Sequence, residues 1–320
     1  MIIPVIGHIC LDVIHHHDGT TSESYGGIYF AVATLANLLD PKNDTVRPVF
    51  GIGKSDYDAL IEQLKQYPNV DVSGIYKING LSNQVELTYS SSDARVERSL
   101  NIADPIPWKK IRPELDAADI VLVNMISGFD ILLDTLDELR METRDSQTPV
   151  YLDIHSLTLG INEDRTRFHR PVETWRRWAF MLHAVQMNEE EAAVVSPEKL
   201  DESSLARHVL ALNTKSLFIT RGKRGCSLFV DNHKHIEEVD YIGLQPKGPV
   251  DPTGCGDVFG AAYCAHYAKT HDILKSAAFA NTIAGTKVQF PGSSQIDKLS
   301  MYRLNGKITA HAKSQEHTNV

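Results

Sequence analysis

The feature that most limits the fold of this chain is a regular alternation of two apolar patterns along its 320 residues. Short runs that are apolar at nearly every position predict strands buried on both faces. Segments with the periodicity of amphipathic helices alternate with them. This order is typical of a mostly parallel sheet covered by helices on both sides. The predicted strands are Ile2–Ile9, Val46–Gly51, Ile120–Met125, Val150–Ile154, Met181–Met187 and Leu217–Thr220.

The predicted helical segments extend this pattern to residue 288. Ser55, with Asp58 three residues later, predicts a capping box near the start of the second helix. Because no repeat or Pro/Gly/Ser-rich linker interrupts the pattern, we expect one domain over residues 1–304. Residues 305–320 are polar and are expected to form a frayed tail. The predicted helices are Ile28–Leu39, Asp56–Gln66, Asp130–Met141, Glu189–Val195, Ser203–Leu212, Cys255–Thr270 and Ile273–Val288.

The composition excludes several classes of protein. A formal net charge of −9 disfavours nucleic acid as a partner. No apolar run reaches the roughly 20 residues needed to span a bilayer, and the first residues lack the basic start of a signal peptide, so we expect a cytoplasmic protein. The run His15–His17 is interpreted as a solvated loop rather than a metal site. The cysteines show no C-x-x-C spacing and indicate neither zinc nor a disulfide framework; they are Cys10, Cys226, Cys255 and Cys264.

One stretch departs from the buried-strand pattern. In Gln84–Tyr89 and Ala94–Leu100, apolar and polar residues alternate with a period of two. Such alternation predicts strands with one face buried and the other in water. We therefore expect a hairpin that is separate from the main sheet.

The most informative local motif is the run at 251–259, which reads Asp-Pro-Thr-Gly-Cys-Gly-Asp-Val-Phe. Gly254 and Gly256 allow successive backbone N–H groups to turn toward one point. A helix that begins at Cys255 adds its own unpaired N–H groups and the positive end of its dipole. An anion such as a γ-phosphate fits that point, and Asp257 is suited to accept a proton from a hydroxyl nucleophile. The pattern predicts a phosphoryl-transfer site.

This run resembles the second sequence signature of the ribokinase (PfkB-type) carbohydrate kinases, with Cys255 in place of the commoner alanine. By this resemblance, Gly254, Cys255 and Gly256 form an anion hole and Asp257 is the catalytic base. The family implies an α/β, ribokinase-like fold of three layers, in which helices cover a mostly parallel central sheet. It also implies a small β-sheet lid, built here from residues of about 11–22 and 83–101, that closes over the substrate. The resemblance extends from residue 12 to residue 292.

The first family signature is less complete in this chain. Gly26 and Gly27 match the paired glycines that open a helix beside the substrate, but Ala31 stands where relatives have an asparagine that helps to hold the sugar. Asp12 matches the substrate-binding aspartate of the family, and a carboxylate can accept hydrogen bonds from two neighbouring hydroxyl groups. The resemblance therefore implies that Asp12, Gly26 and Gly27 bind the substrate.

Three further segments match the ion and nucleotide sites of the family. Asn188 and Glu191 match its Asn-x-x-Glu element, which organises Mg²⁺ largely through water. Arg221 lies within the nucleotide segment and is expected to meet a phosphate or solvent. The nucleotide itself is expected at Thr220, Gly222, Gly225 and Asn281. The positions that bind potassium in many relatives, which make K⁺ activation a further hypothesis, are Asp251, Thr253 and Gly292.

The resemblance implies transfer of the γ-phosphoryl group of ATP, with Mg²⁺, to a hydroxyl group of a sugar, nucleoside or related polyol. Two arginines of the hairpin, Arg95 and Arg98, lie three residues apart on a predicted strand and would face opposite sides. They cannot form a two-arginine clamp for a phosphorylated acceptor, so we predict an unphosphorylated one. No nucleic-acid or membrane partner is expected, and a homodimer formed through the lid is a further hypothesis.

Two alternative functions remain open from the sequence. One is a kinase of a heterocyclic alcohol, such as a vitamin precursor, because Ala31 and the aromatic pair Tyr29 and Phe30 leave room for a flat ligand. The other is a non-enzymatic sensor of sugars or nucleotides, which the complete motif around Asp257 disfavours.

Overall fold

The computed structural model describes residues 1–15, 18–89, 95–232, 235–246 and 250–304, without the side chains at positions 89 and 95. The predicted tail at 305–320, as well as His16 and His17, lies outside the described residues. The strands are β1 Ile2–Ile6, β2 Ile9–His15, β3 Thr21–Gly27, β4 Thr45–Gly53, β5 Ile75–Ile78, β6 Asn83–Tyr89, β7 Arg95–Leu100, β8 Val121–Asn124, β9 Val150–Asp153, β10 Leu159–Ile161, β11 Arg167–His169, β12 Ala184–Asn188, β13 Ser216–Thr220, β14 Gly225–Asp231 and β15 Ile236–Ile242.

The largest sheet contains nine strands in the order β15-β14-β13-β12-β9-β8-β1-β4-β5. From β13 to β5 all neighbours are parallel, whereas β14 and β15 add an antiparallel edge. The predicted mostly parallel sheet is therefore confirmed. Apart from the edge strand β5, its parallel part consists of the predicted apolar runs, because helices shield such strands from water on both faces.

The helices of the described chain pack around this sheet. The longest, α8 and α9, pack against each other, and α1 packs against α8. No described helix has the combination of length and apolar character that a membrane span requires. The helices are α1 Ile28–Leu38, α2 Lys54–Leu64, α3 Trp108–Ile111, α4 Leu133–Ser146, α5 Trp175–Ala179, α6 Glu189–Val194, α7 Glu202–Ala211, α8 Cys255–Thr270 and α9 Ile273–Lys287.

The first predicted strand is divided in two at Gly7. This residue has a φ of +147°, and a Cβ atom there would lie 1.7 Å from the carbonyl oxygen of Asn124. Only glycine allows this close approach between the ends of β1 and β8. The chain turns at Gly7, leaves the main sheet, and enters a second sheet as β2.

The second sheet has four strands in the order β3-β2-β6-β7, and β6 with β7 is the predicted hairpin. Asp12 lies opposite Val85 in the register of β2 and β6, so both side chains share one face. The same face carries a small apolar cluster, against which Ile126 packs. Its members are Cys10, Ile14, Val85 and Leu87.

Two local predictions were wrong. Helix α2 begins at Lys54 with Gly53 as its N-cap and without a side-chain cap, so Ser55 lies inside the first turn and the predicted Ser55–Asp58 capping box does not form. Asp130 does not belong to α4; its carboxylate instead accepts hydrogen bonds from the backbone N–H groups of His8 and Ser127. The prediction of one domain over residues 1–304 stays a prediction.

Candidate functional site

The candidate site lies where the parallel strands end. Because the carboxyl ends of parallel strands meet at one edge of a sheet, the last residues of β8 and β9, Asn124 and Asp153, lie on the same side. Helix α8 begins above this edge. Asn124 Nδ2 donates to Asp257 Oδ1 at 2.8 Å, and Gln186 Nε2 donates to Gly256 O at 3.1 Å. These two contacts fix the first turn of α8 against the sheet.

The turn before α8 is the segment predicted to form the anion hole. Gly254 is the N-cap residue with a φ of +74°, and a Cβ atom there would lie 2.5 Å from the Phe30 ring. The Cys255 N–H donates to Pro252 O at 3.1 Å, so a bound anion would have to share or replace that bond. Among the described residues, the N–H groups of Gly254 and Gly256 have no acceptor. They are therefore the available donors for an anion at the N-terminus of α8.

Asp257, the predicted base, lies in the first turn of α8, where opposing effects act on its pKa. Burial raises the pKa of its carboxyl group above the ordinary value, while the hydrogen bond from Asn124 and the charges of His155 and Lys287 lower it. A raised pKa makes the carboxylate a stronger base, and the hydrogen bond from Asn124 holds one of its oxygens in place.

A histidine contributes positive charge to the same edge. His155 Nδ1 lies 2.8 Å from Glu191 Oε1, and the His155 side chain is 39% exposed. Partial burial opposes the charged form of His155, but Glu191, Asp153 and Asp257 outweigh it and raise the pKa of His155 to about 9. The imidazole is therefore an imidazolium at neutral pH. Burial, Glu191 and Asp257 hold the pKa of Asp153 well above its usual value.

The residues predicted to organise Mg²⁺ form a local network. Asn188 caps α6 by accepting from the Glu191 N–H at 2.8 Å, and the Glu191 carboxylate accepts from the backbone and side chain of Asn188 and from His155. A carboxylate with three donors has little capacity for a directly bound ion. Among the described residues, no cluster of three acidic, histidine or cysteine side chains could hold a metal. The network therefore fits Mg²⁺ that is bound by phosphates and contacts Asn188 and Glu191 through water.

The predicted substrate aspartate faces the site from the small sheet. Asp12 is buried, and burial raises its pKa to about 6. Its Oδ1 accepts a hydrogen bond from Cys10 Sγ at 3.1 Å. A Cβ atom on Gly26 would lie 2.0 Å from Asp12 Oδ2, so only glycine at 26 leaves space for the carboxylate. Gly27, with a φ of +60°, is the N-cap of α1 and lies against His8 O.

An arginine that the sequence did not single out lies near Asp12. Arg167 of β11 donates from Nε to Ser99 Oγ at 2.6 Å and from Nη2 to Ile126 O at 3.0 Å, and Nη1 lies 3.6 Å from Glu97 Oε2. Its charge lowers the pKa of Asp12, though less than burial raises it. Arg98 is exposed, and the side chain of residue 95 lies outside the described part. Arg167 is thus a cation close enough to Asp12 to affect its pKa, and protein groups already bind it.

The aromatic pair on α1 is not available to a ligand. Tyr29 and Phe30 are both buried in the main core. Tyr29 Oη accepts from Gln63 Nε2 at 2.6 Å, and the Phe30 ring lies under Gly254. The interpretation that these rings leave room for a flat ligand was wrong, because they pack inside the protein.

The predicted nucleotide residues lie on the turn between β13 and β14 and on the neighbouring part of α9. Gly222 and Gly225 both have positive φ angles, and Asn281 Nδ2 donates to Ile242 O at 2.9 Å. Arg221 was expected to meet a phosphate or solvent. It instead pairs with Glu202, and its Nη1 lies 3.6 Å from a Glu189 oxygen. The predicted potassium residues also lie together. Asp251 accepts from the N–H groups of Thr253 and Gly292.

Several residues of the site were missed because their partners are distant in sequence. Most carry a weak signal: a polar residue in, at the end of or directly after an apolar strand, or a lysine in a helix of mostly small and apolar residues. Arg167 lies in a polar stretch and carries no such signal. The missed residues are Asn124, Asp153, His155, Arg167, Gln186 and Lys287.

Comparisons with known proteins identify the family of this chain. The family model described as pfkB family carbohydrate kinase matches residues 2–298. The chain is 25% identical over 280 residues to a cytidine kinase from Thermococcus kodakarensis, which covers 83% of this chain and 88% of that protein. It is 36% identical over 101 residues to a ribokinase from Bacillus subtilis, covering 32% of this chain and 31% of the relative. A solved pyrophosphate-dependent kinase in the ribokinase family has a TM-score of 0.73 at 20% identity, covering 93% of this chain and 99% of the other. Since the family model spans nearly the whole chain, this protein belongs to the pfkB family of carbohydrate kinases and is a phosphotransferase with the ribokinase fold.

Proposed function

We propose that this kinase transfers the γ-phosphoryl group of ATP to a hydroxyl group of an unphosphorylated sugar, cyclic polyol or nucleoside. One observation carries the proposal: Asp257 lies at the same helix N-terminus as the two unoccupied N–H groups of Gly254 and Gly256. A base next to an anion receptor is what phosphoryl transfer from a donor to a hydroxyl group requires.

Each residue has a distinct task in this proposal. Asp257 accepts the proton of the attacking hydroxyl group, and Asn124 orients the carboxylate. The N–H groups of Gly254 and Gly256 donate to oxygens of the phosphoryl group, where negative charge is concentrated during transfer. The His155 imidazolium adds positive charge at the same edge. Mg²⁺, when bound to the phosphates, neutralises part of their charge.

The acceptor class follows from Asp12 and Arg167. Among the described residues Asp12 has one weak donor, the Cys10 thiol, so most of its acceptor capacity is left for hydroxyl groups of a substrate. A phosphorylated acceptor would need unoccupied arginines, but Arg167 is already bound by Ser99, Ile126 and Glu97. The similarity to a cytidine kinase is a reason to test nucleosides first.

ATP is the proposed donor because Thr220, Gly222, Gly225 and Asn281 lie together at one edge of the site, as a nucleotide requires. The pyrophosphate-dependent structural neighbour makes pyrophosphate the donor to compare with it. A cytoplasmic location and a homodimer formed through the lid belong to the same proposal.

The test is donor consumption over a panel of nucleosides, sugars and cyclic polyols, each beside its phosphorylated form. We expect turnover with ATP and a kcat/KM that favours an unphosphorylated acceptor. Asp257→Asn should bind nucleotide but lose roughly 10²–10⁴ in kcat, the usual contribution of a positioned general base.

A matched control is Asp201→Asn, which changes an exposed aspartate that caps α7 and should leave kcat unchanged. Near-normal turnover by folded Asp257→Asn would rule out the assigned base. A preference of tenfold or more for a phosphorylated acceptor would contradict the acceptor class, and nucleotide binding without any turnover would favour the sensor.

A further inference from the structure

A fully buried lysine lies directly behind the anion-binding turn. Lys287, the last residue of α9, has an exposed fraction of 0%. Its Nζ donates to the backbone oxygens of Asp251, at 3.2 Å, and Thr253. The Phe30 ring centroid lies 5.2 Å from Nζ. These contacts compensate for the cost of removing an ammonium group from water.

Both oxygens that Lys287 binds belong to the residues predicted as potassium ligands. The nearby Asp251 carboxylate adds negative charge, since its hydrogen bonds to Gly292 and Thr253 hold its pKa below the usual value despite burial. Carbonyl oxygens beside a carboxylate suit any compact monovalent cation. Here an ammonium group already occupies them, and a potassium ion at the same oxygens would contact a like charge. The residues present therefore do not fit potassium at this position.

We propose that Lys287 replaces the monovalent cation and acts as a positioning residue for the anion hole. A trans peptide is planar, so its N–H points away from its carbonyl oxygen. Because Lys287 holds the Thr253 oxygen on one side of the peptide, the Gly254 N–H of that peptide is directed to the other side, where the anion binds. The lysine thus fixes one of the two unoccupied donors without contacting the substrate.

This inference rests on the proposed function only for its activity readout, so its test also measures thermal unfolding. Wild type, Lys287→Ala and Lys287→Met are compared in potassium, ammonium, sodium and tetramethylammonium chloride at equal ionic strength. Lys269→Ala is the matched control, because Lys269 also donates to a backbone carbonyl, that of Leu304, at the far end of α8.

For wild type, and separately for Lys269→Ala, we expect Tm and kcat not to change from one salt to another. Lys287→Ala opens a space beside the two carbonyls, so its kcat should fall at least tenfold in tetramethylammonium and recover at least tenfold in potassium or ammonium, with a parallel rise in Tm. Lys287→Met fills that space without charge, so it should lose kcat and show no recovery.

Three results would overturn the inference. Potassium could raise wild-type kcat severalfold or shift the wild-type Tm upward, Lys287→Ala could keep wild-type kcat in tetramethylammonium, or a folded Lys287→Ala could show no response to any cation. If Lys287→Ala does not fold, the wild-type salt series and Lys287→Met still decide the question. If no acceptor is turned over, the proposed function fails separately, and the Tm series alone tests Lys287.

Discussion

The hydrogen bond between Asn124 and Asp257 gives a prediction about pH. Asn124 is buried, and its Nδ2 donates to Asp257 Oδ1 at 2.8 Å across 133 positions of sequence. A donor to the ionised carboxylate favours that form, so the bond lowers the pKa of Asp257 against the larger, opposite effect of burial. Asn124→Ala removes the donor and should raise the pKa of the base.

The size of the effect follows from the energy of such a bond. A hydrogen bond to a charged group contributes about 1.5–3 kcal/mol, and one pKa unit corresponds to about 1.4 kcal/mol. Complete loss would raise the pKa of Asp257 by about 1–2 units. Water can enter the space left by the amide and restore part of the bond, so we expect a rise of about one unit.

The assay is kcat against pH with all substrates saturating. In the proposed mechanism activity requires ionised Asp257, so kcat should fall as pH decreases through the pKa of this group. In Asn124→Ala the fall should begin about one unit higher. Saturation separates this effect from Asp12, whose protonation changes KM. Asn37→Ala is the control, because Asn37 is also buried and its amide donates to Ala33 O in α1. An acid limb of Asn124→Ala at the wild-type pH would refute the assignment of Asp257 as the titrating base.

Two further predictions concern Asp12 and Gly254. Asp12→Asn should raise the acceptor KM roughly tenfold to a hundredfold with little change in nucleotide KM, because it removes charge-assisted hydrogen bonds. The wild-type acceptor KM should also rise below about pH 6, where Asp12 becomes protonated. This pH dependence of the acceptor KM should disappear in Asp12→Asn. Steady-state kinetics from pH 5 to pH 8 would test both parts, and an unchanged KM would exclude Asp12 from the acceptor site. Gly254→Ala should lower the free energy of unfolding by about 2–4 kcal/mol, since it combines a strained positive φ with a Cβ atom 2.5 Å from Phe30. Gly19→Ala has a positive φ of +83° but no neighbour within 4 Å, so equal losses in urea unfolding of the two variants would contradict the contact with Phe30.

The sequence predicted those parts of the fold that depend on local patterns. Helix α8 was predicted with both of its ends, Cys255 and Thr270, because the glycine-rich turn and the change to polar residues mark them. Six of the nine strands of the main sheet were predicted from continuous apolar runs, and the hairpin of β6 and β7 from strict alternation. The strands β5, β14 and β15 at the edges of this sheet were not predicted. Errors occurred where distant contacts decide the local structure. The Asp130 carboxylate accepts a hydrogen bond from the backbone of His8, 122 positions away, and Asp130 therefore lies outside the helix that was predicted to include it.

The same distinction between local patterns and distant contacts applies to the residues of the site. The motif at 251–259 could be interpreted from sequence because its glycines and carboxylate act through backbone geometry within one turn. Arg167 and Lys287 could not, since their roles depend on which carbonyl or carboxylate the fold places beside them. Their side chains are both almost completely buried, and a sequence pattern does not reveal a buried charge until its partner is known.

The contacts around the anion-binding turn explain why its geometry depends on the whole fold. Asn124 and Gln186 hold the first turn of α8 from the sheet, Phe30 lies under Gly254 from α1, and Lys287 holds the Thr253 carbonyl from α9. A glycine-rich turn alone has many conformations, and each external contact removes some of them before any anion binds. Donors that are fixed in advance need no reorganisation when charge develops on the phosphoryl group, which is the source of their catalytic effect. Loss of any one contact should therefore reduce kcat more than it reduces nucleotide affinity, because a bound nucleotide can still order a loosened turn at some cost in free energy.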